Sequence, residues 1–265
     1  LMAAEEAHRR VTALADSAPP GVRLYIEQQY AGALSDSGRP ADAEPILRAA
    51  RDRAEALRGA DSNLAVGLSW DLAGAESALG QYPLAIAEYG RLLQSSSGQK
   101  NANVAALHNA LGTALLGSGD PSGAVSSFAA AQSILCTADA ASPPCVAISL
   151  NRVDAELNLR QLDVAEQHLA ALNGPAAALG QRAAMRWQLL ESRLRLAHDD
   201  IAGADAALGR SREAVTDAQD ADAIDRARWL VQEAAIREQA GDPARALPLL
   251  QQAEALYRKM LEEQA

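Results

Sequence analysis

The sequence predicts an all-α fold, a stack of antiparallel helical hairpins, on three observations. Six short turn signals punctuate the chain, each followed by an alanine in helical register. These alanines (Ala43, Ala85, Ala124, Ala165, Ala204 and Ala246) are separated by 42, 39, 41, 39 and 42 residues. Hydrophobic residues make up 49% of the chain but aromatics only 3%, a composition dominated by Ala and Leu that favours many thin helix–helix contacts over one thick core.

Residues Ala3 to Ser17 contain no turn signal and read as one helix, stopped by Ala18-Pro19-Pro20-Gly21. It reads as the second half of a hairpin. From about Val22 a new helix runs to the first hairpin turn, Gly38-Arg39-Pro40, and the returning helix carries Ala43, Leu47 and Ala50 on one stripe. Gly80-Gln81-Tyr82 is the second turn, followed by Ala85, Tyr89 and Leu92. The third unit is the clearest. Leu111, Gly112 and Leu115 share a stripe, Gly119-Asp120-Pro121 turns the chain, and Ala124, Phe128 and Ala131 recur on the returning helix. The fourth turn, Arg160-Gln161-Leu162, lacks glycine but precedes Ala165, Leu169 and Leu172; the fifth, Asp199-Asp200-Ile201, precedes Ala204 and Leu208. Gly241-Asp242-Pro243 is the sixth, before Ala246, Leu250 and Ala253. Glycine supplies the left-handed residue that ends a helix, and proline suits the first turn of the next, where its missing N–H is not needed. Breaks between hairpins fall at Gly59-Ala60-Asp61, Ser95 to Gly98, Thr137 to Pro144, Asn173-Gly174-Pro175 and Ala218 to Asp222.

The Leu-Gly pair on the first helix, with Ala, an aromatic and Ala on the second, resembles the tetratricopeptide repeat (TPR). The resemblance covers nearly the whole chain, in the longer variety of about 40 residues seen in kinesin-light-chain-like arrays and bacterial regulators. It implies a right-handed superhelix, one repeat domain over 1–265, divided into a half repeat, 1–21, and repeats at 22–60, 61–101, 102–144, 145–174, 175–218 and 219–265. In the fourth and fifth repeats the first helix fits one residue out of phase, so that Trp187, Leu190 and Leu194 match only with a longer turn.

Net charge −10 argues against a nucleic-acid phosphate backbone as partner. No run of 18 apolar residues exists, so no membrane span is expected in this stretch. The chain opens on Leu1 and reads as part of a longer protein. His8, His108, His168 and His198 lie in different repeats without metal-ligand spacing, and no phosphate-binding, dinucleotide or nucleophile-elbow motif occurs. No catalytic residue, metal or cofactor is therefore expected, and nothing marks the chain as an enzyme.

Cys136 and Cys145 bracket the loop TADAASPP. Its length allows a disulfide, which would favour an oxidising compartment; the other reading is two buried thiols. On that basis a periplasmic location is weighed above a cytoplasmic one. Arg182, Arg186 and Arg193 share one helix face, either a docking stripe for an acidic or phosphorylated peptide or a solvated face.

By the resemblance, positions 2, 5, 9 and 12 of each first helix line the concave face. In repeats one to three these are Tyr25, Gln28, Gly32 and Ser35; Gly67, Trp70, Gly74 and Ser77; and Ala106, Asn109, Thr113 and Leu116. Aromatic anchors among small polar groups suit a peptide, though Trp70 is equally suited to packing between repeats. Some members clamp a chaperone's C-terminal carboxylate with Lys and Asn; Gln28, Gly32, Trp70, Ala106 and Ala110 stand at those positions, so chaperone-tail binding is not expected. The expected function is a protein- or peptide-binding scaffold. Its expected setting is the regulatory or sensor region of a bacterial signalling protein such as a serine/threonine kinase. A small-molecule or peptide-pheromone sensor and self-assembly through the terminal repeats are the alternatives. The oligomeric state is not legible in the sequence.

Overall fold

A computed structural model describes residue 13 and residues 18–96, 98–137, 139–212 and 223–263. Apart from residue 13, the Ala3–Ser17 half-hairpin, with His8, lies outside the described residues, as does the Ala218–Asp222 break. Within them the fold is all-α: α1 Pro20–Asp36, α2 Pro40–Arg58, α3 Asn63–Ala78, α4 Tyr82–Ser95, α5 Ala102–Gly117, α6 Pro121–Leu135, α7 Pro143–Asn158, α8 Leu162–Ala171, α9 Asn173–Ala178, α10 Gln181–Ala197, α11 Ile201–Arg210, α12 Ala223–Gln239 and α13 Pro243–Glu263. Hairpins form from α1–α2, α3–α4, α5–α6, α7–α8, α10–α11 and α12–α13. The chain divides into two compact units, one running to Gln99 and the other Lys100–Glu262.

All six turns end the first helix in the same way. Gly38, Gly80, Gly119, Arg160, Asp199 and Gly241 have φ of 75°, 72°, 86°, 58°, 61° and 78°. The next residue's N–H then reaches back five residues, as in Arg39 to Leu34 O (2.9 Å), Asp120 to Leu115 O (2.8 Å) and Gln161 to Glu156 O (3.0 Å). This bond satisfies a carbonyl that the helix end would otherwise leave bare. Pro40, Pro121 and Pro243 then open the returning helices, and the Asp120 and Asp200 carboxylates each accept an N–H 2.9 Å away, from Gly123 and Gly203.

The six anchor alanines are all buried. In unit 1, α1–α3 close around Leu24, Leu34, Leu47, Leu68 and Leu72. In unit 2, Ala124, Phe128 and Ala131 of α6 pack on Ile148 and Ala155 of the next hairpin, and α7–α10 share a cluster that includes Val153, Leu169, Leu190 and Leu194. Two of the buried carboxylates stand four residues before a turn, each with a cation beside it. Glu76 faces Arg48 at 2.9 Å. Glu156 accepts from Arg152 Nε at 2.8 Å and from His168 Nδ1 at 2.9 Å. The Asn173-Gly174-Pro175 break contains the short helix α9: Leu172, which ends α8, also begins α9. α8 and α11 are only 10 residues each, shorter than the other returning helices.

Candidate functional site

α7, α10 and α12 are the first helices of three successive hairpins, and α10 packs against both of the others. Polar side chains bridge them. Asn151 Nδ2 donates to Asn109 Oδ1 on α5 at 3.0 Å, and Arg186 Nη2 donates to Asn151 Oδ1 at 2.7 Å. Arg193 is ion-paired with Asp154 and donates from Nη2 to Asn158 Oδ1 at 3.5 Å. Asp225 takes Arg182 at 3.3 Å and Arg228 at 3.8 Å. Gln232 Nε2 donates to Ser192 Oγ at 3.1 Å, and that hydroxyl donates to Ala204 O at 2.9 Å.

Asp154, Arg186, Arg193, Asp225, Arg228 and Gln232 among them line an open groove of about 280 Å³. Its charged lining is Asp154, Arg186, Arg193, Asp225 and Arg228, and its apolar lining is Leu189, Leu190 and Val231. Leu190 is buried, whereas Val231 is 41% exposed, so the groove offers an accessible apolar surface beside its charges. Burial, reinforced by Arg228 and Arg182, pushes the Arg186 guanidinium below its ordinary value; Asp154 and Asp225 partly oppose this.

Two further cavities, of about 400 and 350 Å³, flank Trp187 and Glu191 on α10, beside the short helices α8, α9 and α11. Trp187 Nε1 donates to Leu169 O at 2.7 Å, which fixes the ring, and Glu191 bridges Arg195 (2.8 Å) and Arg210 (2.6 Å). His198 and Asp200 line the larger cavity.

The structure therefore joins Asn109 to Arg186 through Asn151 and places Arg186 and Arg193 in the lining of one groove. Thr113 is exposed and donates from Oγ1 to Asn109 O at 3.0 Å. Tyr25, Gln28, Trp70 and Ser77 belong to unit 1. Tyr25 is 58% exposed and Trp70 and Ser77 are half-buried. Gln28 Nε2 donates to Asp71 Oδ2 at 2.7 Å. Burial, with the charge of Asp36, pushes the Asp71 carboxyl up, against the pull of the Gln28 bond. Gly32 leaves open space where a side chain would stand, and a Cβ on Gly67 would meet the Gln28 amide at 3.2 Å. Cys136 and Cys145 are joined by a disulfide with Cα atoms 5.4 Å apart.

Sequence reading missed Asn151, Asp154, Asp225, Arg228 and Val231. A signal was available, because Asn109 and Asn151, like Arg186 and Arg228, stand 42 residues apart. That step reaches Asn151 from Asn109 and Arg228 from Arg186, but it selects none of Asp154, Asp225 and Val231 from a predicted site residue.

The stacked hairpins, with their common turn and small anchor, make this chain a TPR-like array. Solved structures agree with that fold. The apo form of RapI matches with a TM-score of 0.72 and 13% identity, over 95% of this chain and 89% of that one. A Rap protein complexed with competence and sporulation factor matches at 0.62 and 14%, over 91% and 65%. A signal-transduction ATPase with a tetratricopeptide repeat sensor from Pyrococcus horikoshii matches at 0.63 and 13%, over 98% and 41%. This chain thus spans less than two thirds of the last two. No protein-family model matches the sequence, and no curated protein does. Among the described residues no helix is long and apolar enough to cross a membrane.

Proposed function

We propose that the chain is a peptide- or protein-binding scaffold whose site is the groove between α7, α10 and α12. One observation carries this reading: the groove places guanidinium groups of Arg186, Arg193 and Arg228 beside the accessible Val231 and half-buried Leu189. Apolar surface supplies affinity, and oriented polar groups supply register. The volume of about 280 Å³ suits a few side chains of an extended segment. The fold is shared with a Rap protein complexed with competence and sporulation factor and with an ATPase carrying a repeat sensor. That sharing supports a sensor role, here as the regulatory region of a larger bacterial signalling protein such as a serine/threonine kinase. The Cys136–Cys145 bridge supports a periplasmic setting over a cytoplasmic one.

The test uses octapeptides selected by display on the full chain, with affinity read by fluorescence anisotropy. Val231→Trp should fill the groove and weaken binding at least tenfold, while Trp70→Ala leaves it unchanged. The reverse pattern would move the site to Trp70, Tyr25 and Gln28 of unit 1. A second reading, a small-molecule sensor, is favoured by the two cavities beside Trp187, whose volumes of about 400 and 350 Å³ are of small-ligand size.

A further inference from the structure

The arginines of the groove are not equivalently paired. Arg193 is paired with Asp154, while Arg182 and Arg228 share Asp225. Among the described residues no carboxylate lies within ion-pair distance of Arg186; its described bond is to the neutral amide oxygen of Asn151. A guanidinium carries five N–H donors in a planar fork that matches a carboxylate. Arg186 is half-buried on α10, where solvent compensates a charge poorly. The groove lining sets three guanidiniums (Arg186, Arg193, Arg228) against two carboxylates (Asp154, Asp225), and Arg182 adds a fourth beside Asp225, a local excess of positive charge in a chain of net charge −10. A ligand carboxylate would answer that excess at Arg186, the guanidinium without a carboxylate of its own among the described residues. Val231 and Leu189 lie in the same groove, so the ligand's anionic group must adjoin an apolar one.

We propose that Arg186 reads an acidic side chain: it receives the carboxylate of an Asp or Glu whose neighbour in the bound peptide is Leu, Ile or Val seated on Val231 and Leu189. The assignment rests on the peptide-binding reading above. It differs from capture of a chain terminus, because the anion is a side chain within an extended segment. Arg182 and Arg228 keep Asp225 occupied, and Arg193 keeps Asp154 occupied, so neither aspartate competes for Arg186.

Random octapeptides fused through their C-termini present no free terminal carboxylate, so display on the full chain isolates side-chain recognition. Selected sequences should place Asp or Glu beside Leu, Ile or Val. As C-terminally amidated peptides, they should lose at least tenfold in affinity when that Glu is replaced by Gln. Against Arg186→Gln the Glu and Gln peptides should bind equally, and Arg186→Lys should retain part of the preference. The Glu/Gln peptide pair on the unmodified chain decides the matter even if Arg186→Gln fails to fold. Peptides that bind, are blocked by Val231→Trp and show no acidic preference overturn the assignment of Arg186 and leave the groove standing. Tighter binding of a phosphoserine peptide than of its Glu counterpart overturns the carboxylate class. Absence of selected peptides, or binding indifferent to Val231→Trp, overturns both the groove and the assignment.

Discussion

Gly112 of α5 and Phe128 of α6 touch so closely that no side chain fits at position 112. A Cβ there would lie 2.6 Å from Phe128 Cε1 and 2.8 Å from Cδ1, and the ring is fully buried. The glycine lets two helices of one hairpin meet around the single phenylalanine of the chain. Gly112→Ala gains helix propensity of about 1 kcal/mol, but overpacking a confined ring costs about 1–3 kcal/mol. The substitution should lower stability by up to about 2 kcal/mol in urea unfolding. Adding Phe128→Leu should cost less in the Gly112→Ala background than in the unmodified chain. Additive losses would mean that the two residues do not compete for space.

Arg160 and Asp199 hold left-handed conformations that glycine holds in the other four turns. Such a conformation costs an ordinary residue about 1–2 kcal/mol, partly offset by the greater chain entropy that glycine loses on folding. Arg160→Gly should therefore raise Tm by about 1–3 °C. Gly241→Ala, the opposite exchange at φ 78°, should lower it. Asp199 is the poorer test, because its carboxylate accepts from Gln239 Nε2 at 2.7 Å.

Turns and anchors were legible because their chemistry is local. A left-handed residue, a proline at the start of a helix and an alanine where helices meet each leave a mark within a few residues. Even the glycine-free turns at Arg160 and Asp199 followed from the alanine spacing. α9 was not legible, since Gly174-Pro175 reads as a break, while the chain stays helical by letting Leu172 end one helix and begin the next. The groove was half legible. Arg186 and Arg193 stand out on one helix face, but Asp154 and Asp225 meet them only across hairpins. The bridge spacing is 42 residues from Asn109 to Asn151 and 35 from Asn151 to Arg186. The short α8 shifts that register, so no constant period carries a residue from one first helix to the next.

Asp71 gives the chain a defined pH dependence. Its carboxyl is raised above the ordinary 3.8 by burial. The folded state therefore holds the proton more tightly than the unfolded state, and stability falls as pH rises from that value through the raised one. Asp71→Asn keeps an oxygen for Gln28 to bond and removes the buried charge. It should raise Tm at pH 7 and have no effect below pH 3.8. Equal melting temperatures at both pH values would refute this account of the Gln28–Asp71 pair.

The Cys136–Cys145 bridge closes the loop between α6 and α7. By loop-closure entropy its reduction should cost about 2.5–3 kcal/mol. Unreduced, unfolded protein should titrate with no free thiol, and reductant should shift the urea midpoint downward. Two free thiols per chain would remove the bridge and the case it makes for an oxidising compartment.

In the proposed function the groove of α7, α10 and α12 receives the ligand. The most direct measurement is a methyl NMR titration of Leu- and Val-labelled full chain with a selected octapeptide. Methyl shifts should concentrate on Leu189, Leu190 and Val231, saturating together at the affinity measured by anisotropy. Shifts confined to methyls of unit 1, such as Val22 and Leu24 beside Tyr25, with these three unmoved at saturation, would contradict the proposed function.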